Sequence, residues 1–192
     1  MAAARMMVLP RQDNGIKSAK IEDAQTAVKH MAFCRDISVR KLKEKSKESN
    51  LTINEAIWAF VSVTMNRCLK SHNDMTTEWV RVGMPISLRP APKHETDFRI
   101  TNEVVVFPLD MRLISDLQSG IKSIQGDLAH VKTSLMPFGN YYLSHLMTLF
   151  PWFMQNYLFE DYTAKITMAF SNVPGPKEPW SIAGSKCKSF AF

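Results

Sequence analysis

The chain has 192 residues, of which 45% are apolar, 22% charged and 10% aromatic, and 24 Lys and Arg against 18 Asp and Glu give a formal charge of +6. A chain of this length and composition can bury a core, which excludes a disordered protein and favours one domain. Seven Gly and ten Pro exclude a collagen-like fibre, and three Cys without a C-x-x-C pair predict a reducing compartment rather than a disulfide framework.

The N-terminal third begins without a clear hydrophobic period and then becomes helical. The first 29 residues are interpreted as a loop or tail, and residues 30–37 are compatible with a strand. Helix-forming residues over 38–49 predict a surface helix. Thr52 followed by Glu55 is a capping-box signature, and the apolar residues behind it recur at spacings of three and four, which predicts a core helix.

The middle of the chain shows two strand signals followed by a helix signal. Residues 79–87 alternate well enough for a strand that stops at Pro85 or soon after. The β-branched segment 103–107 is the clearest strand pattern in the chain. Asp110 is interpreted as the N-cap of a helix whose apolar residues step by three and four over 114–131.

The C-terminal third is predicted to contain a broken helix and further strands. Residues 141–161 have a helical pattern with large apolar side chains and are interrupted at Pro151, which predicts two short helices. Residues 163–171 alternate as a strand, 171–179 form a Pro-stiffened loop, and 182–192 offer a last strand. Strands and helices without strict alternation predict an α/β fold in which helices pack on a mixed sheet.

Few residues suggest chemistry directly. No two of the five His are adjacent, and H-E-x-x-H, G-x-S-x-G, P-loop and G-x-G-x-x-G motifs are absent, so neither a catalytic residue nor a metal site is predicted. Three strings are distinctive: TINEAIWA at 52–59, MPISLRP at 84–90 and SNVPGP at 171–176. Each also has a structural explanation, as a capped core helix, a strand stopped by Pro and a stiff loop.

In this order and spacing, the strings resemble the C-terminal half of the wax ester synthase/diacylglycerol acyltransferase family, a branch of the CoA-dependent acyltransferase superfamily. Thr52–Ala56 is similar to the family's T-[VI]-N-D-[VA] helix start, with Glu55 in place of Asp. Pro85–Arg89 is similar to its P-[VI]-S-L-R strand end. The resemblance covers roughly residues 33–192.

Two further segments add to this resemblance. Thr101 and Asn102 are similar to a Gly-Asn pair that opens the next strand of the family, with Thr in place of Gly. Ser171–Pro176, followed by Ala183 and Gly184, is similar to an S-N-V-P-G-P loop followed by an A-G pair. The SNVPGP string is the most specific of these matches.

The resemblance implies one lobe of a two-lobe fold like that of chloramphenicol acetyltransferase or condensation domains, with 30–192 as a C-terminal lobe truncated at both ends. It implies the C-terminal portion of an O-acyltransferase that transfers a fatty acyl group from acyl-CoA to a long-chain alcohol or diacylglycerol, in wax ester or triacylglycerol synthesis. Acyl-CoA is then a substrate, and no bound cofactor is implied. The family's catalytic signature, H-H-x-x-x-D-G, belongs to its N-terminal half and does not occur in this sequence, so the missing N-terminal lobe is an implied partner.

The resemblance also implies residues at a tunnel between the two lobes. Asn54 and Glu55 would orient polar groups there, and Arg89 would form a structural pair or contact a CoA phosphate. The implied substrate-associated residues are Asn54, Glu55, Arg89, Asn102, Ser171, Asn172 and Gly175. A helix cap, a surface Arg and a stiff loop explain the same residues without a substrate, and that alternative stays open.

Two other function classes remain. The chain could be a non-catalytic lobe that binds acyl-CoA or a partner, and this is the first alternative. A basic nucleic-acid-binding module is less favoured, because the Lys run over 41–47 is interleaved with Glu and is typical of a solvated helix face. No nucleic-acid partner is therefore expected.

The most apolar stretch of the chain, 143–159, suggests contact with a membrane. It contains His145 and Pro151 and is too short and too polar for a bilayer span, so no transmembrane helix is expected. Its aromatic residues would suit peripheral contact with a membrane or lipid droplet, and a helix pair buried against the sheet is the alternative. Since residues 1–10 do not form a signal peptide, the expected location is cytoplasmic, including the surface of the endoplasmic reticulum or of lipid droplets.

Overall fold

A computed structural model describes residues 9–17, 31–90, 94, 101–133, 135–173 and 181–186. In this part of the chain it contains five helices and two small sheets, in an α/β arrangement.

Two helices open the described core. Helix α1 spans Val39–Glu48 and is capped by Ser38, whose side chain accepts from the Lys41 amide. Helix α2 spans Ile53–Ser71 and begins with the predicted capping box: the Thr52 hydroxyl accepts from the Glu55 amide, and the Glu55 carboxylate accepts from the Thr52 amide. Both predicted helices are therefore confirmed.

The main sheet has three strands in the order β2-β1-β3. Strand β1 (Trp79–Ser87) pairs antiparallel with β2 (Val104–Arg112), with Trp79 opposite Arg112 and Ser87 opposite Val104. Strand β3 (Met168–Ala169) pairs parallel with β1 at Val82 and Gly83. The sheet is thus mixed, as predicted. A second sheet is the hairpin of β4 (Ser181–Ile182) and β5 (Ser185–Lys186).

The hydrophobic core lies between one face of the sheet and two helices. Helix α3 spans Leu117–Thr133 and lies against α2 and β2. Because directly opposite residues of paired strands share a face, Val80 and Val82 lie on the same face as Met111 and Leu109. This face packs against α2 and α3 through a cluster of buried side chains that includes Trp58, Val63, Leu69, Ile124 and Leu128.

Helices α4 (Met136–Met147) and α5 (Trp152–Ala164) follow one another in the chain, and residues of both lie beside the free edge of β2. Pro151 interrupts the helical run as predicted, because proline lacks the N–H that a continuous helix needs. Tyr162 of α5 donates a hydrogen bond of 2.8 Å to the carbonyl of Val106. None of the helices in the described ranges combines the length and apolar character that crossing a bilayer requires.

The N-terminal segment 9–17 lies against the sheet and α5 without forming a regular element. Arg81 is 2% exposed, pairs with Asp110 across the strands at 2.8 Å and donates to the Pro10 carbonyl. Arg11 pairs with Asp161 of α5 at 3.2 Å. These contacts fix a chain segment that the sequence pattern left as loop or tail.

Several predicted boundaries are wrong. Residues 31–38 are exposed and form no strand, because no described strand pairs with them. Asp110 is not a helix N-cap: β2 continues past Pro108 to Arg112, and α3 begins only at Leu117. Proline has no N–H to donate to a neighbouring strand. Pro108 is compatible with β2 because β2 is an edge strand, so no hydrogen bond between strands is lost there.

The last predicted strands are much shorter than expected. Of residues 163–171, only Met168–Ala169 form a strand, because α5 continues to Ala164. The predicted strand 182–192 is replaced over 181–186 by a two-residue hairpin with a turn at Ala183 and Gly184, both at positive φ. Residues 187–192 lie outside the described part of the chain.

Candidate functional site

The topology brings the distinctive strings to one end of the main sheet. Because β1 and β3 are parallel, their C-terminal ends lie at the same end of the sheet, where the antiparallel β2 begins. Arg89 follows β1, Asn102 precedes β2, and Ser171 and Asn172 follow β3. Residues far apart in the chain are thus placed at one sheet end.

The start of α2 meets the segment after β3 at this end. The side-chain amide of Asn172 donates a hydrogen bond to the side-chain oxygen of Asn54. One turn further along α2, Trp58 packs edge-on against Phe170 with ring centroids 5.3 Å apart. The TINEAIWA helix therefore contacts the SNVPGP string through the polar pair at Asn172, and the residue just before the string through the apolar pair at Phe170. Ser171 lies beside them and is exposed.

Glu55 occupies a structural position in this site. Its side chain is 8% exposed, and one carboxylate oxygen accepts from the Thr52 amide at 2.8 Å. A carboxylate that neutralises a first-turn amide stabilises the helix start. The capping geometry thus accounts for an acidic residue at this position without a substrate.

Arg89, which follows β1, contacts the segment that precedes β2. Its Nη2 donates to the Thr101 hydroxyl at 3.4 Å, and this hydroxyl donates to a Glu103 carboxylate oxygen at 2.9 Å. The Arg89 Nε is buried, and none of the described residues accepts a hydrogen bond from it. Asn102 lies next to this chain of contacts and is exposed. The guanidinium therefore keeps hydrogen-bonding capacity that the described contacts do not use.

Gly175 lies outside the described residues, so the structure gives no position for it. Within the described ranges, no group of three or more His, Cys, Asp and Glu side chains is arranged to hold a metal ion.

A groove that sequence reasoning missed lies between the edge of β2 and the α4–α5 pair. It has a volume of about 460 Å³ and a mostly apolar lining that includes Val104, Val106, Leu143 and Leu158. Burial raises the pKa of Tyr162, whose hydroxyl faces the strand edge, to about 12. Small-molecule sites are typically concave and apolar with a few polar groups.

Polar groups at the groove are held by the fold. Asn140 is 7% exposed and lines the groove, as does Asp161. Burial alone would raise the pKa of Asp161, but its hydrogen bonds and ion pairs with Lys165 and Arg11 lower it overall. The sequence signal for this groove is the set of polar residues within the apolar stretch 141–161, several of which line the groove in the folded chain: Ser144, Thr148, Gln155, Asn156 and Asp161.

The architecture described above is an α/β domain with apolar and polar groups gathered at one sheet end and one sheet edge. Residues 102–192 match the family model described as the WS/DGAT C-terminal domain. Over these residues the chain is similar to the C-terminal domain of the wax ester synthase/diacylglycerol acyltransferase family, and for this part of the chain the resemblance predicted from the sequence is confirmed. No curated protein and no solved structure matches the chain.

Proposed function

We propose that this chain is the C-terminal lobe of an O-acyltransferase and forms one wall of the tunnel in which a fatty acyl-CoA meets a long-chain alcohol or diacylglycerol. The observation that supports it most is the family match over 102–192. The contact between Asn54 and Asn172 adds support, because it joins a segment before the matched region to one inside it. The products would be wax esters or triacylglycerols.

The proposed architecture is a lobe over 30–192 of the chloramphenicol-acetyltransferase-like or condensation-domain-like type. Its partner would be the lobe that holds the H-H-x-x-x-D-G signature, since this sequence has no such string. In that partner a His would act as the general base that takes the proton of the acceptor alcohol. The oxygen would then attack the thioester carbonyl, forming the ester and releasing CoA.

We assign the residues at the sheet end to substrate contact. Arg89 would bind a CoA phosphate through the terminal nitrogens of its guanidinium group, because charge-assisted hydrogen bonds to phosphate are among the strongest that proteins make. Asn54 and Asn172 would line the tunnel as one hydrogen-bonded pair. Asn102 and Ser171 are exposed beside them and would contact the same ligand.

The other two residues implied by the resemblance have different roles in this proposal. Glu55 would act indirectly, by fixing the start of α2. Gly175 would shape the loop between the lobes.

The groove beside β2 is a candidate for the aliphatic part of a substrate. Its 460 Å³ lies within the range of roughly 300–1,000 Å³ typical of small-molecule sites. Its lining residues Val104 and Val106 are 48% and 42% exposed, so a bound chain would remove apolar surface from water.

A titration of the purified chain with CoA thioesters of increasing acyl length tests this proposal. We expect palmitoyl-CoA to bind at least about tenfold more tightly than acetyl-CoA, because each buried methylene contributes about 0.8 kcal/mol. Arg89→Gln should weaken binding of every thioester by about tenfold, since all share the CoA phosphates. The matched control is Arg67→Gln, which removes the same charge from the exposed surface of α2.

Other results would contradict the proposal. Equal affinity for acetyl-CoA and palmitoyl-CoA would remove the acyl chain from recognition. Binding to polyanions alone, with a steep salt dependence, would instead support the basic-module alternative.

We also place the protein in the cytoplasm, peripheral to the endoplasmic reticulum or to lipid droplets.

A further inference from the structure

Segment 9–17 connects two parts of the fold that are far apart in the sequence. Near its start, Arg11 pairs with Asp161 of α5 at 3.2 Å. Near its end, the Gly15 amide donates to the carboxylate of Asp74, in the loop after α2, at 2.8 Å. One short segment is thus attached to a helix at one end and to a loop at the other.

Between these ends, the Gln12 side chain takes the place of a strand residue beside β1. Its nitrogen donates to the Trp79 carbonyl at 3.5 Å, and its oxygen accepts from the Arg81 amide. The chain just before β3 continues along the same edge, where the Thr167 amide donates to the Arg81 carbonyl at 2.8 Å. Gln12 therefore satisfies backbone groups of β1 that the short strand β3 does not reach.

Two cations of the segment hold the C-terminal end of α5. Besides the pair between Arg11 and Asp161, the Lys17 ammonium donates to the carbonyl of Thr163 at 3.2 Å and to that of Ile166. The last carbonyls of a helix have no partner within the helix, and a cation beside them also interacts favourably with the helix dipole. These contacts hold the end of α5 in place against the sheet.

The same part of α5 forms a wall of the groove beside β2. Leu158, Asp161 and Tyr162 line the groove, and the Tyr162 hydroxyl donates to the Val106 carbonyl of β2 at 2.8 Å. Asp161 therefore belongs both to the groove and to the contact with Arg11. A movement of the end of α5 changes the groove and the attachment of segment 9–17 together.

Segment 9–17 is attached without being part of the hydrophobic core. Within the described chain, the core cluster contains none of its residues, and its backbone hydrogen bonds, between Asn14 and Lys17, stay inside the segment. The attachments described above are hydrogen bonds and a partly exposed ion pair, each of which contributes little alone. Parts of a protein with few buried apolar contacts open at a lower free energy than its core. The segment can therefore detach while the core stays folded.

We propose that segment 9–17 is a latch that controls the width of the groove. When it is attached, the latch holds the end of α5 against the sheet. When it is detached, α5 is free to move away from β2, and the groove widens. The latch acts as one unit, so its attachment to Asp74 and its attachment to α5 stabilise each other. This inference concerns a movement within the chain and does not depend on which ligand the groove binds.

Hydrogen–deuterium exchange of the purified chain tests the inference. In the wild-type chain, we expect amides of 158–166 to be protected at least about tenfold less than amides of 58–63 in α2, because the end of α5 opens while the core stays closed. Asp74→Asn weakens the attachment that does not involve α5, and it should lower the protection of 158–166 by a further factor of about five. The matched control is Glu78→Gln, the same change at an exposed residue of the same loop, which should leave this protection unchanged.

Arg11→Gln weakens the attachment to α5 directly and should lower the protection of 158–166 as well, with Arg67→Gln as its charge-matched control on the exposed surface of α2. The inference is overturned if Asp74→Asn protects 158–166 as well as Glu78→Gln does, because the two attachments are then independent. It is equally overturned if 158–166 and 58–63 are protected to the same extent in the wild-type chain, because α5 then opens only when the whole fold opens.

Discussion

Asp74 fastens the N-terminal segment 9–17 to the loop after α2. Its carboxylate accepts from the Gly15 amide at 2.8 Å and from the Thr77 hydroxyl at 2.6 Å. The hydrogen bond from the Thr77 side chain, followed by the Gly15 and Thr77 amides, lowers the pKa of Asp74 well below its ordinary value of 3.8. These bonds therefore favour the ionised carboxylate in the folded chain.

The lowered pKa predicts a pH-dependent stability. The stabilisation is fully present above the unfolded pKa of 3.8 and is lost as pH falls toward the lower folded pKa. In urea unfolding between pH 2 and 6, the wild-type chain should exceed Asp74→Asn in unfolding free energy near pH 6, and the difference should shrink below pH 4. A difference that stays constant over this range would show that Asp74 ionisation does not stabilise the fold.

The sequence predicts contacts between residues that are close in the chain, but it does not predict contacts between residues that are far apart. Thr52 and Glu55 were predicted as a capping box because their partners lie within three residues. The Asn54–Asn172 bond joins residues 118 positions apart, and no periodicity predicts such a contact. The resemblance put both residues near one tunnel, but their mutual bond needed the folded chain.

At the scale of elements, helix α3 offers a matched pair of glycines. A Cβ on Gly120 would lie 2.5 Å from two side-chain carbons of Ile114, whereas a Cβ on Gly126 would have no heavy atom within 4 Å. We expect Gly126→Ala to raise the unfolding free energy by about 1 kcal/mol through helix propensity. Gly120→Ala should instead lower it by about 1–3 kcal/mol through overpacking.

Urea unfolding of the two variants measures both effects, and each variant serves as the control for the other. If Gly120→Ala is as stable as Gly126→Ala, then Ile114 does not pack against α3 as described. The sequence predicted the helix, but it could not separate a glycine required by close packing from one that is only exposed.

Hydrophobic periodicity did not predict where several helices and strands begin and end. The β-branched segment 103–107 predicted a strand. The strand continues to Arg112 because β1 pairs with it along its whole length. Arg81 and Asp110 lie opposite each other in this pairing. Asp110, which was predicted to cap a helix, is therefore the ion-pair partner of Arg81 in a strand. Conversely, the segment 30–37 was compatible with a strand, but residues 31–37, the part of it that the structure describes, form none.

At the scale of the whole molecule, strand β2 connects two features of the described chain. It begins at the sheet end where β1 and β3 finish, and its free edge forms one wall of the groove that residues of α4 and α5 line on the other side. The mixed α/β class was predictable from the order of elements. The groove was not, because it arises from the packing of α4 and α5 beside a strand edge.

The most direct test of the account mixes this chain with a separately produced N-terminal lobe of the family that contains the H-H-x-x-x-D-G signature, and measures ester formation from palmitoyl-CoA and a long-chain alcohol. We predict ester only when both lobes are present, with a rate that Arg89→Gln reduces about tenfold and Arg67→Gln leaves unchanged. Two folded lobes that associate and bind palmitoyl-CoA but form no ester would contradict the account, and would show that this chain is a non-catalytic binding lobe.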